Sequence, residues 1–387
     1  MNYTDYIYQK KKLYDSLFTF LEDDDQSDEE EEEEENGSRH PKKGERKMEF
    51  LETISNSRNE EDIEQFLIFL SKILDNHHRN SGFIDRIGKI LLYLKDTIKQ
   101  TLSNLRIHEM FEGSFLFLLL LLENEIVKFD EQIINLYENF SEQKKFYFYP
   151  EIKNMISDAD RENIEGKLLQ YDLFIFISFS EKRRAGENDD RLCSIIREDS
   201  LDDFLSYITE EKVPLNSEIK YSIFETNRLL IEIKKVTLIE YTAFFGAVQI
   251  FHYLRTHEIE LSPHIWKFAV HSKSLEIIHF LIENKIEPDF EPKDDEYSSF
   301  DLFSHLSVDE RRDLFFQEIL EEAIKCHHNE VANYIIINII QRDIEKFNDE
   351  KYFNDNVLSY AFHYHNYLYF PENLDEIDFI FLYACKF

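Results

Sequence analysis

Glycine is scarce in this chain of 387 residues, with only 8, where an average protein holds about 7%. Tight hairpins, phosphate-cradling loops and strained nucleophile turns draw on glycine's freedom at positive φ, so most nucleotide-enzyme architectures are excluded. Cysteine is scarcer still. Cys193, Cys326 and Cys385 are far apart and odd in number. That excludes a disulfide framework and predicts a reducing, intracellular location, cytoplasmic rather than nuclear. Positive charge is short: 44 Lys and Arg stand against 79 Asp and Glu, a net charge of −35. Nucleic-acid backbones and anionic membrane surfaces would repel such a chain, so neither is an expected partner. Long apolar runs are missing too. The longest, Phe115 to Leu122, has 8 residues, against the roughly 18 that suggest a membrane span. The N-terminal MNYTDYIYQKKKLYDSLF has no apolar leader segment.

Acid and helical periodicity are what the chain has in plenty. Twelve of the fourteen residues in 22–35 are acidic, and Arg39, Lys42, Lys43, Arg46 and Lys47 crowd the segment behind them. Self-repulsion at that density opposes collapse, so residues 1–47 are expected to be disordered. From 48 to 180 the pattern predicts a helical domain. Ile63, Phe66, Leu67, Leu70, Ile73 and Leu74 recur at three and four, as do Phe83, Ile87, Ile90, Leu91, Leu94 and Ile98. Further helices are expected at 113–124, 130–140 and 151–157. YDLFIFISFS (171–180) fits a buried helix or a strand, with helix favoured, and the charged stretch 181–190 is expected to be a linker.

Beyond the linker the chain repeats itself. Tyr241–Leu254 slides by 27 positions onto Phe268–Leu281, and that segment slides by a further 54 onto Glu322–Ile335. Small residues at 242/243, 269 and 323 fall in one column, and Ile250 lies over Ile277. Such a period marks units that bury their faces against neighbours. Each unit is expected to be two short helices. Thr237 should cap the first and Gly246 end it, and Ser262-Pro263 should open the next. Trp266 falls at an apolar core position.

TLIEYTAFFGAVQIFHYL resembles the ankyrin repeat, with Thr237, Ile239, Ala243, Gly246, Ile250 and Leu254 on its pattern; Leu238 replaces its Pro and Glu240 its His. Residues 190–387 look like the divergent, Phe- and Ile-rich ankyrin proteins that some parasitic protists carry in large families, together with a helical N-terminal region of unknown function. The resemblance implies an all-α fold: a helical domain followed by an ankyrin-type α-solenoid over 191–387. The 27-residue spacing is shorter than the usual period of about 33, so the finger turns must be short or absent. Residues 289–315 are either an eroded repeat or an inserted acidic loop, with the loop favoured. The apolar DFIFLYACKF at the end is either a degenerate cap or a truncation, and its exposed apolar residues predict self-association or binding of a hydrophobic partner through that end.

Catalytic motifs are not found. Gly82…Gly88-Lys89 misses the P-loop spacing and has Ile90 where Ser or Thr must hold magnesium. His77-His78 and Cys326-His327-His328 are read as surface or groove residues, because adjacent helical residues point about 100° apart and make poor metal pairs. No metal, cofactor or catalytic residue is assigned. The expected function is a non-enzymatic protein-interaction scaffold. Its groove would present two ladders, Phe244, His271 and Lys325 beside Glu240, Lys267 and Glu321, with Phe245 next to the first. Packing of Phe244 and Phe245 between repeats is the competing account. Two other functions stay open: capture of basic proteins by residues 22–35, and an unrecognised enzyme site in 48–180.

Overall fold

The computed structural model describes residues 3–22, 49–57, 59–77, 79, 82–233, 235–262, 264–286, 308–337 and 350–370. The acidic run beyond Glu22, the basic cluster at 39–47, most of the expected insertion and the DFIFLYACKF end lie outside the described residues. The described part is all-α; its single β-type contact is an isolated bridge between Glu218 and Thr237. No helix among the described residues is long and apolar enough to cross a membrane.

The first core is organised around α4 (Phe115–Glu123), whose residues 116–121 are all buried. A helix apolar on every side belongs in the centre of a bundle. Around it pack α2 (Glu60–Asn76) and α3 (Phe83–Thr101), each with one apolar face as the periodicity requires. Asn59 caps α2 by accepting the Glu61 N–H at 3.2 Å, and Glu60, Glu61 and Asp62 place negative charge at its positive end.

The expectation of disorder across 1–47 is wrong at its start. Residues Tyr3–Leu21 form α1, with Ile7, Tyr14, Leu17, Phe18 and Leu21 buried in the first core. Their spacing of seven, three, one and three is itself helical. The Arg86 side chain donates Nε–H to the Leu21 carbonyl at 2.9 Å, satisfying an orphan acceptor at the end of α1.

The expected helix at 171–180 and linker at 181–190 are also corrected. Helix α5 (Asp158–Tyr171) ends at the first residue of the stretch, residues 173–178 are turns, and α6 (Phe179–Ala185) runs into the supposed linker. Gly186 ends α6 at φ +65°, where an added Cβ would lie 2.7 Å from Thr226 Oγ1 and 2.8 Å from Leu116 Cδ2. Glycine is required there twice over, by backbone and by space. Arg183 is buried and forks onto Glu151 at 2.6 and 2.9 Å, and Asn188 donates to the Lys220 carbonyl at 2.7 Å. Charges that read as solvent-loving in isolation are consumed inside a packed joint. A second core, including Ile152, Ile164, Leu168, Ile175 and Phe179, is completed by Ile223 and Phe224 from beyond that joint.

The third core spans the repeats. Helices come in pairs: α7 (Arg191–Arg197) with α8 (Leu201–Glu210), α10 (Leu238–Phe245) with α11 (Val248–Thr256), α12 (Ile265–His271) with α13 (Leu275–Glu283), and α14 (Val308–Lys325) with α15 (Asn329–Ile335). First members pack in order, α7 on α10, α10 on α12, α12 on α14, and α14 on α16 (Glu350–Tyr364). Second members touch through ring pairs, Phe204–Tyr253 at 6.1 Å, Phe251–Phe280 at 5.5 Å and His279–Tyr334 at 5.5 Å. Thr242, Ala243, Ala269 and Ala323 are fully buried in the column where first helices meet. Trp266 is buried and donates Nε1–H to the Ile286 carbonyl at 2.8 Å.

Thr237 and Glu240 form a reciprocal capping box, and Gly246 ends α10 at φ +68°. Ser262 does not cap α12; the flanking position belongs to His264, and the Ser262 hydroxyl is drawn to Glu240 instead. Residues 308–315, expected within a loop, are the first turns of α14, and Phe315 and Phe316 are buried. The short helix α9 (Arg228–Glu232), between α8 and α10, contributes Leu229 and Leu230 to this core and packs on α2. At the far end Ala361, Tyr367 and Phe370 join the first core, beside α1.

Candidate functional site

The two expected ladders have different fates. Phe244, His271 and Lys325 are brought into one row. The Phe244 ring stacks on His271 with centroids 4.4 Å apart and planes at 27°, and His271 Nε2 lies 3.6 Å from Glu322 Oε1. Lys325 Nζ lies 3.3 Å from the other oxygen of the same carboxylate. Glu240, Lys267 and Glu321 stay apart. Glu240 accepts the Thr237 N–H at 2.7 Å and hydroxyl at 2.8 Å on one oxygen and the Ser262 hydroxyl on the other. Lys267 pairs with Glu318 at 2.9 Å, and Glu321 accepts the Tyr364 hydroxyl at 3.0 Å.

Burial decides what these residues offer. Glu240, Phe244 and His271 are buried, so of the seven only Phe245, Lys267, Glu321 and Lys325 keep any exposed surface. The competing account of Phe244 as a packing residue therefore describes its place. Phe245, half-buried, sits against Tyr241 at 4.7 Å with the Arg197 guanidinium 5.8 Å from its ring centre.

His77, Cys326, His327 and His328 are not the surface residues expected; all four are buried, and His78 lies outside the described residues. His77 stacks on Phe83 at 5.4 Å and meets His328 edge-on at 5.0 Å. The His328 ring donates Nδ1–H to the Val270 carbonyl at 2.9 Å, and His327 Nδ1 shares a hydrogen bond with the Tyr14 hydroxyl at 3.1 Å. Burial, and then the proximity of His77, holds His327 and His328 well below the ordinary histidine range, so both rings are neutral at neutral pH. Glu22, held by His77 at 3.3 Å and by Lys273, is depressed to about 2, with the His77 hydrogen bond the largest cause. Cys326 Sγ lies 3.6 Å from Glu322 Oε1, and burial followed by that carboxylate keeps the thiol protonated.

A feature that periodicity does not reveal lies at 172–178. Ile175 is fully buried and anchors the turn in the second core, while Leu173, Phe174, Phe176 and Ile177 are 75%, 68%, 46% and 65% exposed. The turn is held rather than loose. Asp172 Oδ1 accepts the Phe174 N–H at 2.8 Å, the Asp172 carbonyl accepts the Ile175 N–H at 3.1 Å, and Ser178 takes a left-handed φ of 59°. The clue in the sequence is the apolar residue at every position from 173 to 177, since no single face of a helix or strand can bury five in succession.

No protein-family model, curated protein or solved structure matches the chain.

Proposed function

We propose that the chain is a non-enzymatic protein-interaction scaffold, built as an ankyrin-type solenoid braced by a helical N-terminal unit. The paired helices, the 27-residue register and the buried small-residue column support the solenoid reading. One observation carries the functional reading: four large apolar side chains stand in a pre-ordered, solvent-exposed turn at 173–177, pinned from beneath by Ile175. Exposed apolar clusters on an otherwise acidic surface mark contact sites, and prior ordering lowers the entropy a partner must overcome. The partner chemistry that fits is an apolar protein groove with a basic rim, complementary to the chain's net charge of −35. Phe245, Lys267, Glu321 and Lys325 remain as a smaller second surface.

The test is a pull-down from native cells with the full chain and the triple variant Leu173→Ser, Phe174→Ser and Ile177→Ser, which spares Ile175. The reading expects unchanged circular dichroism and loss of the captured partners. Capture of the same partners by both chains at equal yield would refute it.

A further inference from the structure

The row that begins at Phe244 ends in three metal-ligating side chains. His271 is the last residue of α12, Glu322 lies in the last turn of α14, and Cys326 follows one turn later, its N–H bonded to the Glu322 carbonyl at 2.9 Å. Glu322 and Cys326 are thus i and i+4 on one helical face, the spacing at which two side chains reach a common point. The three donor atoms all lie within 4.8 Å of one another. His271 Nε2 and Cys326 Sγ are each 3.6 Å from Glu322 Oε1. Tetrahedral zinc, with bonds of about 2.0–2.3 Å, sets its ligands about 3.3–3.7 Å apart. Two of the three separations already fall in that interval.

The surroundings hold the donors in place. Lys325 engages Glu322 Oε2 at 3.3 Å, which leaves Oε1 for the shared point and fixes the carboxylate plane. The Phe244 ring covers one face of the His271 imidazole at 4.4 Å. All three ligand residues are buried, with Glu322 and Lys325, at 9% and 13% side-chain exposure, marking the way in from solvent. One nitrogen, one carboxylate oxygen and one sulfur suit zinc or cobalt(II) and not calcium or magnesium, which take oxygen alone.

We propose that His271, Glu322 and Cys326 form a zinc-type site that clamps α12 to α14, with the fourth position taken by water. On binding, the Cys326 thiol yields its proton to solvent and the sulfur–metal bond replaces the weak Sγ–H bond to Glu322. The site is independent of the apolar turn at 173–177, and either reading can fail without the other.

The test uses the full chain freed of metal by a chelator. Cobalt(II) added alone should bind at one equivalent, with a sulfur-to-cobalt charge-transfer band and the intense visible bands of a four-coordinate ion. Zinc(II) should bleach both and raise the melting temperature. Cys326→Ala and His271→Gln should each abolish the bands, whereas Cys193→Ala and Cys385→Ala should leave them. X-ray absorption of the zinc-loaded wild-type chain needs no variant to fold, and should show one sulfur among nitrogen and oxygen neighbours. No cobalt bands in the wild-type chain, bands that survive Cys326→Ala, or a zinc shell with no sulfur or with two would each overturn the proposal.

Discussion

The row from Phe244 to Cys326 and the turn from Leu173 to Ile177 exchange the places that polarity would assign them. The row buries a histidine, a carboxylate and a thiol; the turn exposes two phenylalanines, a leucine and an isoleucine. Each inversion is held by neighbours. In the row, the ionisable groups are each other's partners, so the desolvation cost is offset by contacts at 3.3–3.6 Å. In the turn, one buried Ile175 and the Asp172 hydrogen bonds keep the surrounding side chains in water. The difference separates two meanings of a non-average residue: one is consumed by the fold, the other is left available. Availability is what an interaction surface needs.

The two regions should differ most in mutational cost at their aromatic members. Phe244→Ala should lower unfolding free energy by about 3–5 kcal/mol, whereas Phe174→Ala should change it by about 0.5 kcal/mol or less. Chemical denaturation of both variants checks the contrast, and equal losses would mean that the turn is part of the core. Next in size is the joint. Gly186→Ala places a Cβ against Thr226 and Leu116 at a left-handed φ, and should cost about 2–4 kcal/mol. Proteolysis of the wild-type chain should correspondingly spare 181–190. A mobile linker there would be cut early and would tolerate the alanine.

Within the repeats, Ala269→Leu should overpack the column between α10, α12 and α14 and cost about 1–3 kcal/mol. An unchanged melting temperature would place that column in solvent. The smallest effect is on pH dependence. His327 and His328 stay neutral in the fold, among His77, His365 and the lysines Lys72 and Lys273, while the unfolded rings take up protons near their ordinary value of 6.5. The unfolded chain then binds more protons, so stability should fall as pH drops through 6.5. Glu22 adds a second window at lower pH. Its stabilisation is complete above the ordinary carboxylate value of 4.5 and is lost as pH falls toward 2. Melting curves from pH 8 to 5 test the first window, and His327→Gln should flatten the slope there.

Features written in adjacent residues are legible in the amino-acid sequence alone. The Thr237 cap, the Gly246 stop and the helices α2 and α3 depend on spacing within one or two turns, and the buried column at 242/243, 269 and 323 follows from the repeat period. What escapes depends on distant contacts. Helix α1 is hidden by the acidic run that follows it, although Tyr14, Leu17, Phe18 and Leu21 carry the period. Arg183 and Asn188 look like linker residues because Glu151 and Lys220, their partners, lie 32 residues away in either direction. The histidine cluster draws His77 and His328 from distant parts of the described chain, and no periodicity links them. For the candidate site, spacing aligns Phe244 with His271 and Lys325, and says nothing of Glu322 as their common partner.

On the proposed function, the exposed turn, and not the buried row, is where other proteins are met. A photo-crosslinking amino acid placed at position 174 or at position 245 of the full chain, and activated in native cells, tests it directly. Protein adducts should form from position 174 and be weak or missing from position 245. Adducts from 245 with none from 174 would contradict the account.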